Sequence, residues 1–302
     1  VQVVDLPTPS GDGVRVKVHS AGICSSDLHM VGMGFDIPAT LGHEVAGVLA
    51  DGRAVALEPL APCGHCDMCV QGDYGLCRSG AAMIHGVGRD GGMAEEILVP
   101  ERCIVPLPSG VRVEDACLVE PLAVAAHGVR RLSLDARSRV AIVGAGPVGL
   151  CAAALCVPFA GEVAVAARHD AQKAAAEKLG ARLEPQGEYD IVIECAGNSK
   201  ALAQAARLCR PRGKLLLLAT YWEGVQLPAF EVSMKNLSIE ASSMYSQSGA
   251  ARDIDVAAQL LGRYPQIADA LVSHRLPLDA AVEAFAVARD RKAGAIKVVL
   301  EP

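Results

Sequence analysis

A β-branched run, Val140-Ala141-Ile142-Val143, meets Gly144-Ala145-Gly146-Pro147-Val148-Gly149 and then an alanine-rich stretch. This order of strand, G-x-G-x-x-G turn and helix constrains the fold more than any other feature, because each glycine has its own task. Gly144 makes the turn, Gly146 lets the backbone approach a pyrophosphate, and Gly149 packs helix on sheet. Pro147 and Val148 open the helix, whose N-terminus faces the anion. The turn therefore predicts a dinucleotide site. The acid expected about 20 residues later, which would hold a ribose 2′-hydroxyl, is missing. In its place the second strand ends in Ala166-Ala167-Arg168-His169. A small residue removes the repulsion that an acid would exert on a 2′-phosphate, and Arg168 can pair with that phosphate through its planar fork. NADP is thus expected ahead of NAD, with Arg168 and His169 at the cofactor. The alternative is a solvated Arg168 and tolerance of NAD.

Around this turn the chain alternates. Strands are expected over 139–143, 162–166, 190–195 and 214–218, with helices over 147–157, 171–179 and 200–209, the pattern of an α/β, doubly wound parallel sheet. The charge-free run from Val140 to Pro158 reads as the first strand, turn and helix of that sheet, not as a membrane span. Upstream, short β runs are broken by Gly, Pro and Asp. Val14-Arg15-Val16-Lys17-Val18 alternates, and Asp51-Gly52 is a type I′ hairpin signal within 45–56. Downstream, Ile254, Ala257, Ala258 and Leu261, then Leu278, Ala281, Val282 and Phe285, give two amphipathic helices, and 296–300 reads as a closing strand. With no repeat and no low-complexity linker, two domains sharing a cleft are expected.

Two clusters carry metal chemistry. Cys63, Cys66, Cys69 and Cys77 form C-x2-C-x2-C-x7-C, and four thiolates can close a tetrahedron around Zn²⁺. Such a site has no open position and would fix a loop; reduced thiols, local disulfides or an iron–sulfur cluster are the alternatives that spacing leaves open. Separately, Cys24, His43 and Glu120, the last in the apolar Val119-Glu120-Pro121-Leu122, make a Cys/His/Glu set. That is the ligand type of an open, catalytic zinc.

Composition narrows the function classes. A chain of 302 residues suggests about two domains. With 51% apolar residues it can bury real cores, and 28 Lys plus Arg against 34 Asp plus Glu leave no basic footprint for nucleic acid. Eleven cysteines, odd in number and clustered between Cys63 and Cys77, suggest reduced thiols and metal. That cysteine usage sets the expected location in the cytoplasm with no membrane partner. No charged-then-apolar leader is visible, and the chain, which starts without Met, is equally consistent with trimming.

Ala21-Gly22-Ile23-Cys24-Ser25-Ser26-Asp27-Leu28-His29, Gly42-His43-Glu44, the four-cysteine lobe, Glu120-Pro121 and the glycine turn together resemble the zinc-dependent medium-chain alcohol and polyol dehydrogenases. The resemblance runs over nearly the whole chain in the family's order, and Glu120 places it with the sorbitol and threonine dehydrogenase branch. It implies a GroES-like β-rich catalytic domain over 1–121, a Rossmann domain over 122–248, and a segment 249–302 completing the first. It further implies one catalytic and one structural zinc. Cys24 and His43 would be catalytic ligands, with Glu44 a direct or exchanging one. Ser26 would take the substrate proton, His29 would relay it, and Asp27 would orient His43. The implied reaction moves hydride between a small alcohol or ketone of the polyol, sugar or amino alcohol class and NAD(P). The family's habit also implies a homodimer or homotetramer through a sheet edge at 237–241. Connections are short for the family between Glu44 and Glu58 and between Gly180 and Asp190. Tyr221, Trp222 and Tyr245 are candidate pocket-lining groups. A metal-free quinone or enone reductase of the same superfamily is the competing reading, and a zinc-stabilised module without activity is a third.

Overall fold

A computed structural model describes residues 1–37 and 39–302. Two compact units emerge, one made of Val1–Ala123 with Tyr245–Pro302 and the other of Val124–Met244.

The first unit is built on a seven-stranded sheet in the order Val272–Pro277, Lys297–Glu301, Val14–Gly22, Glu44–Val48, Ala54–Leu57, Ile104–Pro106, with Glu96–Val99 paired to the first half of Val14–Gly22. Strand Val14–Gly22 follows from its alternation: Val16 and Val18 are buried while Arg15 and Lys17 are not. Each such valine removed from water contributes about 1.5–3 kcal/mol. They join Val45, Phe285 and Leu300 in one core. The closing strand adds itself antiparallel beside the first, with Ala21 opposite Leu300 and Gly22 opposite Val299. On its other side Gly22 faces Glu44. Residues from both ends of the chain are thereby neighbours across a glycine.

The second unit is an all-parallel six-stranded sheet in the order Ser238–Ala241, Cys209–Leu217, Tyr189–Glu194, Arg139–Val143, Glu162–Ala166, Arg182–Leu183. Numbered along the chain this is 6-5-4-1-2-3, the doubly wound Rossmann order. Its switch point lies between Arg139–Val143 and Tyr189–Glu194. The run from Val140 to Pro158 divides into that first strand and the helix Pro147–Cys156. No helix among the described residues is long and apolar enough to cross a membrane.

Asp51-Gly52 is not a type I′ turn, which needs positive φ at both central residues. Only Gly52 is left-handed, at φ 86°. Gly52 N donates to Leu49 O at 2.9 Å and Leu49 N to Arg53 O at 2.9 Å, a three-residue loop with the glycine as a bulge. Val282 does not face the core, being 57% exposed; Ala281, Ala284, Phe285 and Ala288 do. Leu278 falls in a 3-10 turn that rotates the face before the helix Ala281–Arg289 begins. The strand expected over 214–218 starts earlier, as Cys209–Leu217, with its pairing interrupted between Cys209 and Lys214.

Candidate functional site

Cys24 stands where the strand Val14–Gly22 gives way to the helix Ser25–Gly32, and it occupies the helix N-cap. Its backbone N–H donates to Asp27 Oδ2 at 2.9 Å, so one acid closes the helix start. The other oxygen of that acid, Oδ1, faces His43 Nδ1 at 3.4 Å. Neither buried atom has a hydrogen-bond partner among the described residues. A neutral imidazole protonated on Nδ1 answers both, and it leaves the Nε2 lone pair free for a metal. Ser26 Oγ lies 3.3 Å from that Nε2. Ligand atoms of Cys24, His43 and Glu44 lie within 4.8 Å of one another. Burial would lower the His43 pKa, but Asp27 and then Cys24 outweigh it and hold it well above the ordinary value. The negative groups that raise it would equally favour a cation at Nε2 in place of a proton, and the S, N and O donors suit Zn²⁺.

Glu44 is tethered. Its carboxylate lies across Gly22, where a Cβ would meet Glu44 Oε2 at 2.2 Å. Beyond the glycine it forms an ion pair with Lys297 Nζ. Both side chains are 1% exposed, and Nζ also donates to Ile23 O at 3.1 Å. Glu120, on the first turn of the helix Val119–Val129, is not within the Cys24/His43/Glu44 cluster. Burial pushes its carboxyl up to about 7, His43 opposes the rise and Glu44 adds to it. No cation pairs with it among the described residues.

The four-cysteine lobe closes on itself. Sulfur atoms of Cys63 and Cys69 are 3.9 Å apart, Cys66 and Cys69 3.5 Å, and Cys66 and Cys77 3.9 Å. A tetrahedron with zinc–sulfur bonds of about 2.3 Å has edges of about 3.8 Å, so the four thiols fit one ion. Backbone N–H groups of Cys63 and Ser79 point at Cys77 Sγ at 3.4 and 3.5 Å. Against the opposing effect of burial they bring that thiol down to about 6. His65 is turned away, its Nδ1 2.9 Å from Cys63 O. The lobe is tied to its unit through the buried Glu58, which accepts from Tyr74 Oη at 2.6 Å and pairs with Arg102 at 3.0 Å and Arg252 at 2.9 Å.

In the second unit the glycine turn has the form its tasks require. Gly144 is left-handed at φ 106°, and a Cβ on Gly149 would meet Gly144 O at 2.0 Å. A Cβ on Gly146, the N-cap of the helix Pro147–Cys156, would meet nothing within 4 Å. That open approach is what a pyrophosphate needs. Arg168 is exposed, and His169 stands at the N-cap position of the helix Asp170–Lys178 without a side-chain cap bond.

Residues 10–109 match the alcohol dehydrogenase GroES-like domain, and residues 147–261 the zinc-binding dehydrogenase family. L-galactonate-5-dehydrogenase of Escherichia coli K12 is 30% identical over 93% of this chain and 89% of its own length. The chain belongs to the zinc-dependent medium-chain alcohol and polyol dehydrogenase family. Sorbitol dehydrogenase of Bacillus subtilis 168 is 32% identical over 72% of the chain and 71% of its own length. The crystal structure of galactitol-1-phosphate dehydrogenase from Escherichia coli superposes with a TM-score of 0.86 at 27% identity, covering 100% of this chain and 96% of that one.

This medium-chain dehydrogenase is therefore a zinc-dependent oxidoreductase that moves hydride between an alcohol and NAD(P). Within it, one of the aromatic residues read from the sequence as a lining group is placed otherwise. Tyr245 is 0% exposed and lines no open surface. Tyr221 donates to the buried Glu194 at 2.6 Å. Glu194 also accepts from Ala196 N at 2.8 Å and Gly197 N at 2.9 Å, fixing the loop at the sheet's switch point. Lys297 was not legible as a site residue, although one lysine in an apolar closing strand was the available signal.

Proposed function

We propose that this dehydrogenase oxidises a secondary hydroxyl of a polyol or sugar derivative, and that the convergence of Cys24, His43 and Glu44 beside Ser26 carries that reading. Cys24, His43 and Glu120 are the proposed ligands of a catalytic zinc. Glu44, its charge balanced by Lys297, is the carboxylate that exchanges in. Glu120 suits the ligand role because it is the acid that burial keeps from ionising and a cation would relieve. Cys63, Cys66, Cys69 and Cys77 are the proposed structural zinc ligands.

Bound zinc supplies the Lewis acidity that lowers the pKa of a substrate hydroxyl, and a nicotinamide dinucleotide supplies the hydride acceptor. Ser26 accepts the hydroxyl proton, its Oγ being held beside the ligand set by its place on the first turn of the helix Ser25–Gly32. His29, one turn on, passes the proton toward solvent. Asp27 keeps His43 in the tautomer that coordinates. Gly144, Gly146, Pro147, Val148 and Gly149 receive the pyrophosphate, and Arg168 with His169 favours a 2′-phosphate, so NADP is preferred.

The expected measurement is two zinc ions per chain, one of which mild chelation removes together with NADP-linked oxidation of a polyol panel. One tightly held zinc with activity surviving chelation would end the reading. Eleven cysteines free of disulfides support a reducing, cytoplasmic setting. Ser238–Ala241 is an edge strand with Ile239, Phe230 and Met234 exposed nearby, a surface suited to a second copy. Sedimentation should give a homo-oligomer that Ile239→Lys weakens; a monomeric wild type would remove this part.

A further inference from the structure

Arg291 lies in the 3-10 turn Arg291–Ala293 that precedes the closing strand. That turn is fixed by its own chemistry: Asp290 Oδ1 accepts from Lys292 N and Ala293 N, each at 3.1 Å, and Gly294 completes it at φ 97°. Arg291 consequently starts from a rigid base. From there its guanidinium reaches Ser25, the residue after Cys24, and Nη2 donates to Ser25 Oγ at 3.0 Å. Nη1 lies 3.4 Å from Ile296 O.

No carboxylate pairs with this guanidinium among the described residues. The acid next to it, Asp290, turns its Oδ1 to backbone amides and forms no ion pair with Arg291. Glu44 is held by Lys297 on the adjoining strand. In this unit Arg102 and Arg252 share Glu58, and Arg275 pairs with Asp115 and Glu301. Arg291 is thus a half-buried cation next to the proposed ligand set, with Cys24 as the anionic group set against it and no carboxylate partner among the described residues. Both nitrogens that bond protein atoms do so to neutral oxygens, so no carboxylate or phosphate occupies the fork. A guanidinium fork recognises carboxylate and phosphate oxygens in two parallel bonds.

We propose that Arg291 is a specificity residue that recognises an anionic group on the substrate, so that the preferred substrates are sugar acids or sugar phosphates ahead of neutral polyols. This rests on the polyol dehydrogenase reading and narrows it. The relatives do not decide the matter, because one acts on L-galactonate, one on sorbitol and one on galactitol 1-phosphate by their names. Ser25 is a positioning residue for the guanidinium.

The test uses the zinc-loaded, full-length enzyme with L-galactonate, galactitol 1-phosphate and sorbitol. In the wild type, kcat/KM for at least one of the two anions is expected to exceed that for sorbitol by tenfold or more. Charge-assisted hydrogen bonds contribute enough that Arg291→Gln should lower the anion-to-sorbitol ratio by about 10- to 100-fold, with the loss in substrate KM. Arg291→Lys should recover part of it, and Ser25→Ala should lower it by a smaller factor. Rising salt should raise KM for the anion and not for sorbitol. A carboxylate source shows the dependence with L-galactonate, a phosphate source with galactitol 1-phosphate. Equal losses on all three substrates, or a rise confined to the cofactor KM, would overturn the assignment. Wild type that prefers sorbitol sinks the Arg291 proposal alone; a zinc-loaded wild type inert toward all three takes the polyol reading down with it.

Discussion

Cys24→Ala should leave one zinc per chain in place of two and lower kcat/KM by roughly 10⁴-fold. The magnitude follows from several kcal/mol of Lewis-acid stabilisation at about 1.4 kcal/mol per tenfold. The thermal midpoint should move little, because Cys24 is only partly buried and its backbone bond to Asp27 does not depend on the thiol. Cys66→Ala should do the reverse. It opens the four-sulfur lobe proposed to hold the structural ion, a set with no open position for substrate, and so it should cost stability before chemistry. Elemental analysis alongside melting curves and steady-state rates separates the two. If Cys24→Ala retained both ions and most of its rate, the Cys24/His43 cluster would not be the catalytic centre.

The parts of this molecule that were legible in its sequence are those whose task is local. Gly144, Gly146 and Gly149 are demanded by one turn, and their spacing survives any arrangement of the other strands. The four cysteines sit within fifteen residues, close enough in the chain to converge on one ion. Cys24, Ser26, Asp27 and His29 share one helix start, so their grouping follows from helical geometry. What was not legible depends on strand pairing between distant segments. Lys297 becomes the partner of Glu44 only because Gly22 lies between the second strand and the closing one. Arg291 reaches Ser25 across 266 positions of sequence. Tyr245 looked like a lining aromatic because a sequence does not state which way a side chain turns. Val282 matched helical periodicity, but a 3-10 turn at Leu278–Ala280 shifted the phase.

The Lys297–Glu44 pair yields the largest expected effect on stability. With both side chains 1% exposed, Lys297→Met strands a carboxylate against Gly22, and it also removes the donor to Ile23 O. Breaking a buried pair from one side typically costs about 3–5 kcal/mol. Denaturant unfolding of the zinc-loaded protein should show that loss, with a fall in midpoint temperature of about 10 °C. Glu44→Leu should be destabilising in its turn, since it leaves a buried ammonium. The double variant Lys297→Met/Glu44→Leu should recover most of the stability, because a packed apolar pair needs no charges desolvated. Recovery would show that the two charges act as a unit, and the cycle of single and double variants gives the coupling energy of the pair. If Lys297→Met stayed within about 0.5 kcal/mol of wild type, Glu44 would have another partner. Zinc retention by Lys297→Met under chelation would then separate two cases: a Glu44 that has become protonated leaves retention unchanged, and a Glu44 that has moved onto the cation beside Cys24 and His43 raises it.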